Sequence, residues 1–230
     1  MGRWIFGLVL LMIGGAAISV WRGWLDMPPQ WNPWAPLDVK ATPNWLTGYK
    51  LMRLRSDPER CAQALSSAEL RVTRQADSPD AKCPLIAAVR VQGGEVALSS
   101  SFLASCPLAV AYAMFEHHTL QPVAQAVYGE KVVRLDHLGS FACRNVYNRE
   151  SGALSRHASA DALDIAGFRL ADGRVINVLK DWPRQNQDAQ FLRQVRDGAC
   201  EAFSVVLSPD YNAAHRNHFH VDVGRWSLCR

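Results

Sequence analysis

Two stretches decide how this chain is read. They are Ser155-Arg156-His157-Ala158-Ser159-Ala160-Asp161-Ala162-Leu163-Asp164-Ile165 and His215-Arg216-Asn217-His218-Phe219-His220-Val221. In a strand, residues two apart point to one face, so His218 and His220 project together while Phe219 turns to the core. The first stretch puts His157 on a loop leading into a strand and Asp164 on that strand, beside apolar Ile165. A carboxylate in such an apolar strand is costly unless it is paired or bound to a cation. Two imidazoles and one carboxylate, from His157, Asp164 and His220, match the protein ligands of a catalytic zinc, which keeps a fourth position open. A structural zinc site would be closed and usually cysteine-rich. The chemistry this set points to is metal-assisted hydrolysis, in which Zn2+ lowers the pKa of water toward ~7 and polarises a carbonyl.

Outward from these stretches, the patterning predicts a helix around Pro58 to Leu70, a polar turn over 75–80, and short strand-like runs to Leu98. Leu108, Ala111, Met114, Phe115 and Leu120 give Pro107 to Val127 helical spacing. Strands are expected over Lys131 to Leu138, Val175 to Leu179, Phe203 to Leu207 and His218 to Val223, with an amphipathic helix over Asp188 to Cys200. Helices come first, then strands with one helix between them. That order predicts an α+β domain, a central antiparallel sheet flanked by helices, rather than a doubly wound one. There is no internal repeat and no glycine-rich phosphate loop.

The N-terminus adds a second module. From Trp4 to Trp21 the chain carries no charge, and ~18 apolar residues at about 1.5 Å rise can cross a bilayer core; Arg3 and Arg22 bracket the run. The best small-residue cleavage site, Ala17-Ile18-Ser19, is poor, which favours an uncleaved transmembrane anchor over a signal peptide. The run from Met27 to Pro36 is rich in Pro and Trp and reads either as a semi-rigid spacer or as aromatics resting at the membrane interface. The expected division is anchor 1–23, linker 24–41 and catalytic domain 42–230. Six cysteines, Cys61, Cys83, Cys106, Cys143, Cys200 and Cys229, contain no C-x-x-C pair. They suit disulfides in an oxidising compartment, with Cys61 and Cys83 expected to pair across a short helix-turn segment. Anchor and cysteines together point to the periplasm or an equivalent space, so the expected location is the inner membrane with the body in the periplasm. The net charge of +4, without a dense Lys/Arg block, offers nothing for nucleic acid.

Ser155-x-His157, Asp164-Ile165 and His218-x-His220 resemble the superfamily of zinc D-Ala-D-Ala carboxypeptidases, lysostaphin and murein endopeptidases. In that superfamily the equivalents of His157, Asp164 and His220 hold zinc. The run His215-x-x-His218-Phe219-His220-Val221 is similar to penicillin-insensitive murein endopeptidases. From about Cys61 to Arg230 the chain also resembles the extensin-like C-terminal domain family, in Cys106-Pro107-Leu108-Ala109, Gly139-Ser140-Phe141-Ala142-Cys143-Arg144-Asn145, Val206-Leu207-Ser208-Pro209-Asp210-Tyr211-Asn212 and Cys229-Arg230. The resemblance implies a D-Ala-D-Ala peptidase-like fold, a zinc cofactor, and cleavage of an amide bond in peptidoglycan stem peptides or cross-links. Wall growth and the opening of a path for a larger envelope machine are both uses of such an activity.

Two departures matter. Ala160 stands where the superfamily often has Gly, so the backbone there must tolerate a Cβ. Asn217 stands where dipeptidase-like members have a catalytic Glu, and an amide cannot take a proton from water. The base is then expected to be His218, with His215 assisting or orienting it, and Arg144 binding a substrate carboxylate or the oxyanion. The alternatives are a non-catalytic zinc-bound scaffold that binds cell-wall peptide, and a D,D-carboxypeptidase. His117, His118 and His137 read as structural, Asp161 as a solvated loop carboxylate and Glu116 as a helix-surface one. Ser155 reads as a hydrogen-bonding neighbour of the site and not a nucleophile.

Overall fold

In the computed structural model, which describes residues 2–230, the chain opens with helix α1 (Gly2–Trp21). This is a helix long and apolar enough to cross a membrane, and side chains such as Leu8, Leu11 and Met12 are exposed. The body begins with α2 (Trp45–Arg53), an element without an expected counterpart in the sequence patterning. Its start is fixed by a capping box: Asn44 Oδ1 accepts from the Leu46 amide at 2.8 Å, and Thr47 Oγ1 accepts from the Asn44 amide at 2.9 Å. Helix α3 (Pro58–Ser66) starts on Asp57, which accepts from the Arg60 amide, with Pro58 at the first helical position.

Strands β1 (Arg71–Arg74), β2 (Val89–Gly93) and β3 (Ala97–Ala104) follow as an antiparallel series. A nearly continuous helical run then covers the expected 107–127: α4 (Cys106–Phe115), a π-helical turn (Glu116–Leu120) and α5 (Gln121–Tyr128). Pro122 lacks an amide hydrogen, and the wider turn just before it accommodates the missing bond. Next come β4 (Val132–Gly139), β5 (Ala162–Leu170) and β6 (Val175–Asn177). The strand expected to run to Leu179 stops two residues early, because Asn177 caps the short helix α6 (Val178–Asp181). Helix α7 (Gln187–Ala202) and strands β7 (Val205–Leu207), β8 (Phe219–Asp222) and β9 (Leu228–Cys229) complete the chain.

All nine strands among the described residues belong to one sheet, ordered β1-β2-β3-β4-β5-β8-β7-β9, with β6 also paired to β5. The architecture is thus mixed α/β with a central sheet flanked by helices. Most pairs are antiparallel, as expected, but β3–β4 and β7–β9 are parallel. The first exception follows from the helical run between β3 and β4, which is the crossover that parallel neighbours need. The core is built where α4, α5 and α7 cover the sheet, around Tyr112, Phe115, Phe168, Phe191 and Phe219. A smaller cluster joins Leu37 and Val39 to Leu54, Cys61, Ala64 and Met114. Part of the Pro/Trp-rich stretch therefore packs on the body, and polar contacts hold it there. Lys50 Nζ donates to Pro29 O at 2.7 Å, Asn44 Nδ2 to Gln30 O at 2.8 Å, and Arg60 to Trp34 O at 2.8 Å.

The cysteines form three disulfides, Cys61–Cys106, Cys83–Cys143 and Cys200–Cys229. The expected Cys61–Cys83 pair does not form. Helix α3 lies against the start of α4, so Cys61 meets Cys106, while Cys83 sits on a separate loop facing the segment after β4. Glu116 also departs from expectation. It is 3% exposed, its Oε1 accepts from the Val96 amide at 2.7 Å, and its Oε2 has no hydrogen-bond partner.

Burial pushes the Glu116 carboxyl up to about 7. The unfolded chain loses this proton near pH 4.5, so stability is full below that pH and is lost as pH rises toward 7. The loss is at most about 3 kcal/mol. Glu116→Gln keeps the acceptor for Val96 and should stabilise the protein by about 1–3 kcal/mol at pH 8, with little effect at pH 4.5. Denaturant melts at the two pH values measure this.

Candidate metal centre

The site is made where β5 and β8 pair. Their antiparallel register sets Asp164 directly opposite His220, with Leu163 opposite Val221 and Ile165 opposite Phe219 on the buried face. His157 comes from a 3-10 turn, Arg156–Ser159, that immediately precedes β5 and is capped by Ser155 Oγ on the His157 amide. That turn ends at Ala160, which is fully buried and left-handed at φ 53°. The position adopts the conformation that glycine favours, and the chain bears a strain of roughly 1 kcal/mol to place an alanine there. Its methyl group packs against Leu85, Ala88 and Leu103.

Hydrogen bonds outside the cluster set the tautomers. His157 Nδ1 donates to Ser140 O at 3.0 Å, which leaves Nε2 as a lone pair. His220 Nε2 lies 3.3 Å from Asp222 Oδ2, and when the imidazole is neutral and donates there, Nδ1 is left as a lone pair. These two bare nitrogens lie 3.1 Å apart. Asp164 Oδ1 stands 3.0 Å from His220 Nδ1 and 3.2 Å from His157 Nε2. Three electron-rich atoms converging this closely repel one another unless positive charge sits between them. Ligands at ~2.0 Å from a tetrahedral cation stand about 3.3 Å from one another, so the triangle has the size of one face of such a site. The group could hold a metal ion. Without one, a proton takes its place. Burial opposes charge on His220, but hydrogen bonds to Asp164 and Asp222 outweigh it and raise the imidazole to about 9. Burial likewise opposes charge on Asp164, and its contacts with His157 and His220 hold the carboxyl well below the usual range.

His218 lies one residue before β8 and faces the same centre. Its Nδ1 donates to Asn217 Oδ1 at 2.8 Å, and its Nε2 is 3.4 Å from Asp164 Oδ1. Burial keeps its pKa below the ordinary value, with neighbouring His220 and His157 acting in the same direction against Asp164. His215 stacks near His218, ring centroids 5.3 Å apart, and donates from Nδ1 to Asn212 Oδ1 at 2.8 Å. Burial and the neighbouring histidines push it down to about 4. Arg144 lines the same open cleft, of about 530 Å³, beside Tyr147 and Ser155. The structure thus gathers His157, Asp164, His220, His218, His215 and Arg144 around one cavity. His117, His118 and His137 lie outside it. They contact Glu95, Val39 O and Ser100 O respectively.

Sequence reasoning missed Asp222. It is 5% exposed, it receives the Nε2 hydrogen of His220, and it accepts from the Gly224 amide at 2.6 Å. The alternation His218-x-His220-x-Asp222 carries the signal for it, since all three point to one face. Asn212 was also missed as a site residue: it orients His215 and donates to the Tyr147 hydroxyl at 3.1 Å.

A mixed sheet with a His/Asp/His cluster at one strand pair defines the class: an α/β domain with a candidate metal centre. The chain belongs to the family described as Extensin-like protein C-terminus, whose model matches residues 59–230. No curated protein and no solved structure matches the chain.

The carboxylate–histidine arrangement orients a ligand and raises its basicity. Asp222→Asn should therefore lower the affinity for a divalent cation by about 10–100-fold. His157→Ala should abolish stoichiometric binding. Titration calorimetry of the chelator-stripped protein with zinc checks both.

Proposed function

We propose that this protein is a zinc-dependent hydrolase that cleaves an amide bond in peptidoglycan stem peptides or cross-links. In this reading α1 anchors it in the inner membrane and the disulfide-bonded body faces the periplasm. The observation that carries the reading is the close triangle of His157 Nε2, Asp164 Oδ1 and His220 Nδ1, with His218 Nε2 beside it. The resemblance of these motifs to murein endopeptidases supplies the substrate class, and with it the D,D-peptidase-like fold. His157, Asp164 and His220 would hold the zinc, which would supply a Lewis acid to polarise the scissile carbonyl and acidify water.

The chain's own residues supply the rest. Asn217 holds the hydrogen of His218 on Nδ1, so Nε2 is free to take a proton from the attacking water and return it to the leaving amine. Arg144, on the cleft wall, supplies a cation for a substrate carboxylate or for the developing oxyanion. His215 is kept neutral and oriented by Asn212, which fits a positioning role beside His218. The non-catalytic scaffold reading rests on the missing Glu at position 217; the Asn217–His218 hydrogen bond supports the catalytic reading, in which Asn217 orients the base. If Arg144 engages a terminal carboxylate, the D,D-carboxypeptidase variant follows, and free D-Ala among the products distinguishes it from an endopeptidase.

Full-length protein in detergent should split cross-linked muropeptides, lose that activity to a chelator and regain it with zinc. His218→Ala should lower kcat by about 10²–10⁴-fold while retaining zinc. Mass spectrometry of the digests reads the outcome. Cleavage that survives both chelation and His157→Ala would refute the assignment.

A further inference from the structure

Helix α2 presents an uncovered apolar stripe. Trp45, Tyr49 and Met52, at i, i+4 and i+7, share one face and are 78%, 43% and 56% exposed. Trp226, 81% exposed, lies on the loop after β8, and it lines one surface depression together with Gly48 and Met52. The same helix buries an adjoining side through Leu46 and Lys50, so the stripe is not a disordered end but one side of a packed element. Basic groups flank it. Arg53 lies over the Tyr49 ring at 5.7 Å, and Arg55 and Arg225 share the depression with Trp226 against one carboxylate, Glu201. No acidic residue occurs from Trp45 to Arg55 or from Val223 to Arg230. Exposed indole and phenol rings bordered by arginines suit the interfacial zone of a bilayer with anionic headgroups, where amphipathic rings settle and guanidinium groups meet phosphates.

The course of the chain says which bilayer that is. The segment from Pro29 to Val39 is held on the body by Lys50, Asn44, Arg60 and the buried Leu37 and Val39. Only residues 22–28 then separate the end of α1 from a fixed point on α2, where Lys50 grips Pro29 O. At ~3.5 Å per residue that stretch reaches no more than about 25 Å. A body tethered so closely to a membrane-crossing helix keeps α2 within reach of the surface that helix leaves. Trp24 and Leu25, 75% and 51% exposed in the tether, extend the same apolar character toward it.

We propose that the face formed by Trp45, Tyr49, Met52 and Trp226 docks into the surface of the bilayer crossed by α1, so that the domain is held in one orientation rather than swinging on a tether. The proposal rests on α1 crossing a membrane and is independent of any hydrolytic activity.

The test uses the full chain in vesicles of phosphatidylethanolamine and phosphatidylglycerol, with either ordinary or brominated acyl chains. The emission of each tryptophan is taken as the difference between wild type and Trp45→Phe, or wild type and Trp226→Phe. Both differences should be quenched by about half or more in the brominated vesicles. Met52→Glu should relieve the quenching of Trp226 while the protein still floats with the vesicles through α1. Unquenched differences for both residues overturn the proposal, as does a chain that fails to float with the vesicles.

Discussion

Everything at the site depends on one pairing, Asp164 against His220 across β5 and β8. It puts a carboxylate oxygen 3.0 Å from an imidazole lone pair in a place burial would otherwise forbid. The register that creates this contact is enforced from the other face of the sheet. Leu163, Ile165, Phe219 and Val221 all point into the core, so a slip of one residue would bury both polar groups and expose four apolar side chains. The packing energy of the hydrophobic face thus fixes the geometry of the polar one. Loops complete the cluster. His157 is oriented by Ser140 O, and the segment carrying Ser140 and Arg144 is tied down by Cys83–Cys143. Oxidation of the cysteines therefore bears on the site as well as on the stability of the body.

Much of this was legible in the sequence because it is periodic. Alternation across His218, Phe219 and His220 places two imidazoles on one face, and a lone carboxylate beside Ile165 in an apolar run asks for a partner. The helices over 106–128 and 187–202 follow from apolar spacing. What was not legible depends on contacts between distant segments. The partner of Cys61 is decided by α3 lying on α4, which no local spacing encodes. Glu116 reads as a surface residue because it is the charged position of an apolar helix, and it is buried only because the amide of Val96 arrives from a strand turn to meet it. Helix α2 escaped notice because its apolar residues do not all face one core: Leu46 is buried while Trp45, Tyr49 and Met52 point outward. Asp222 was readable and overlooked, since it extends the same alternation by two more residues.

On the proposed hydrolase reading, Asn217, standing where a catalytic Glu is expected from the resemblance, is to be read together with His218 beside it. A histidine can accept a proton only if it is neutral and its free nitrogen faces the reaction. Asn217 meets the second condition by taking the Nδ1 hydrogen at 2.8 Å, which turns Nε2 toward Asp164 and the candidate metal ligands. On the same reading, the first condition is better met by an amide than by a carboxylate at this position. A negative Glu at the same distance would favour the imidazolium and leave His218 protonated when a base is needed. The neutral amide orients without adding charge. Burial and the surrounding histidines are then free to keep His218 below its ordinary value despite nearby Asp164. With a Glu the carboxylate itself would be the base; in the proposed mechanism, with Asn217 in its place, proton transfer would pass to the neighbouring imidazole, whose direction the amide sets.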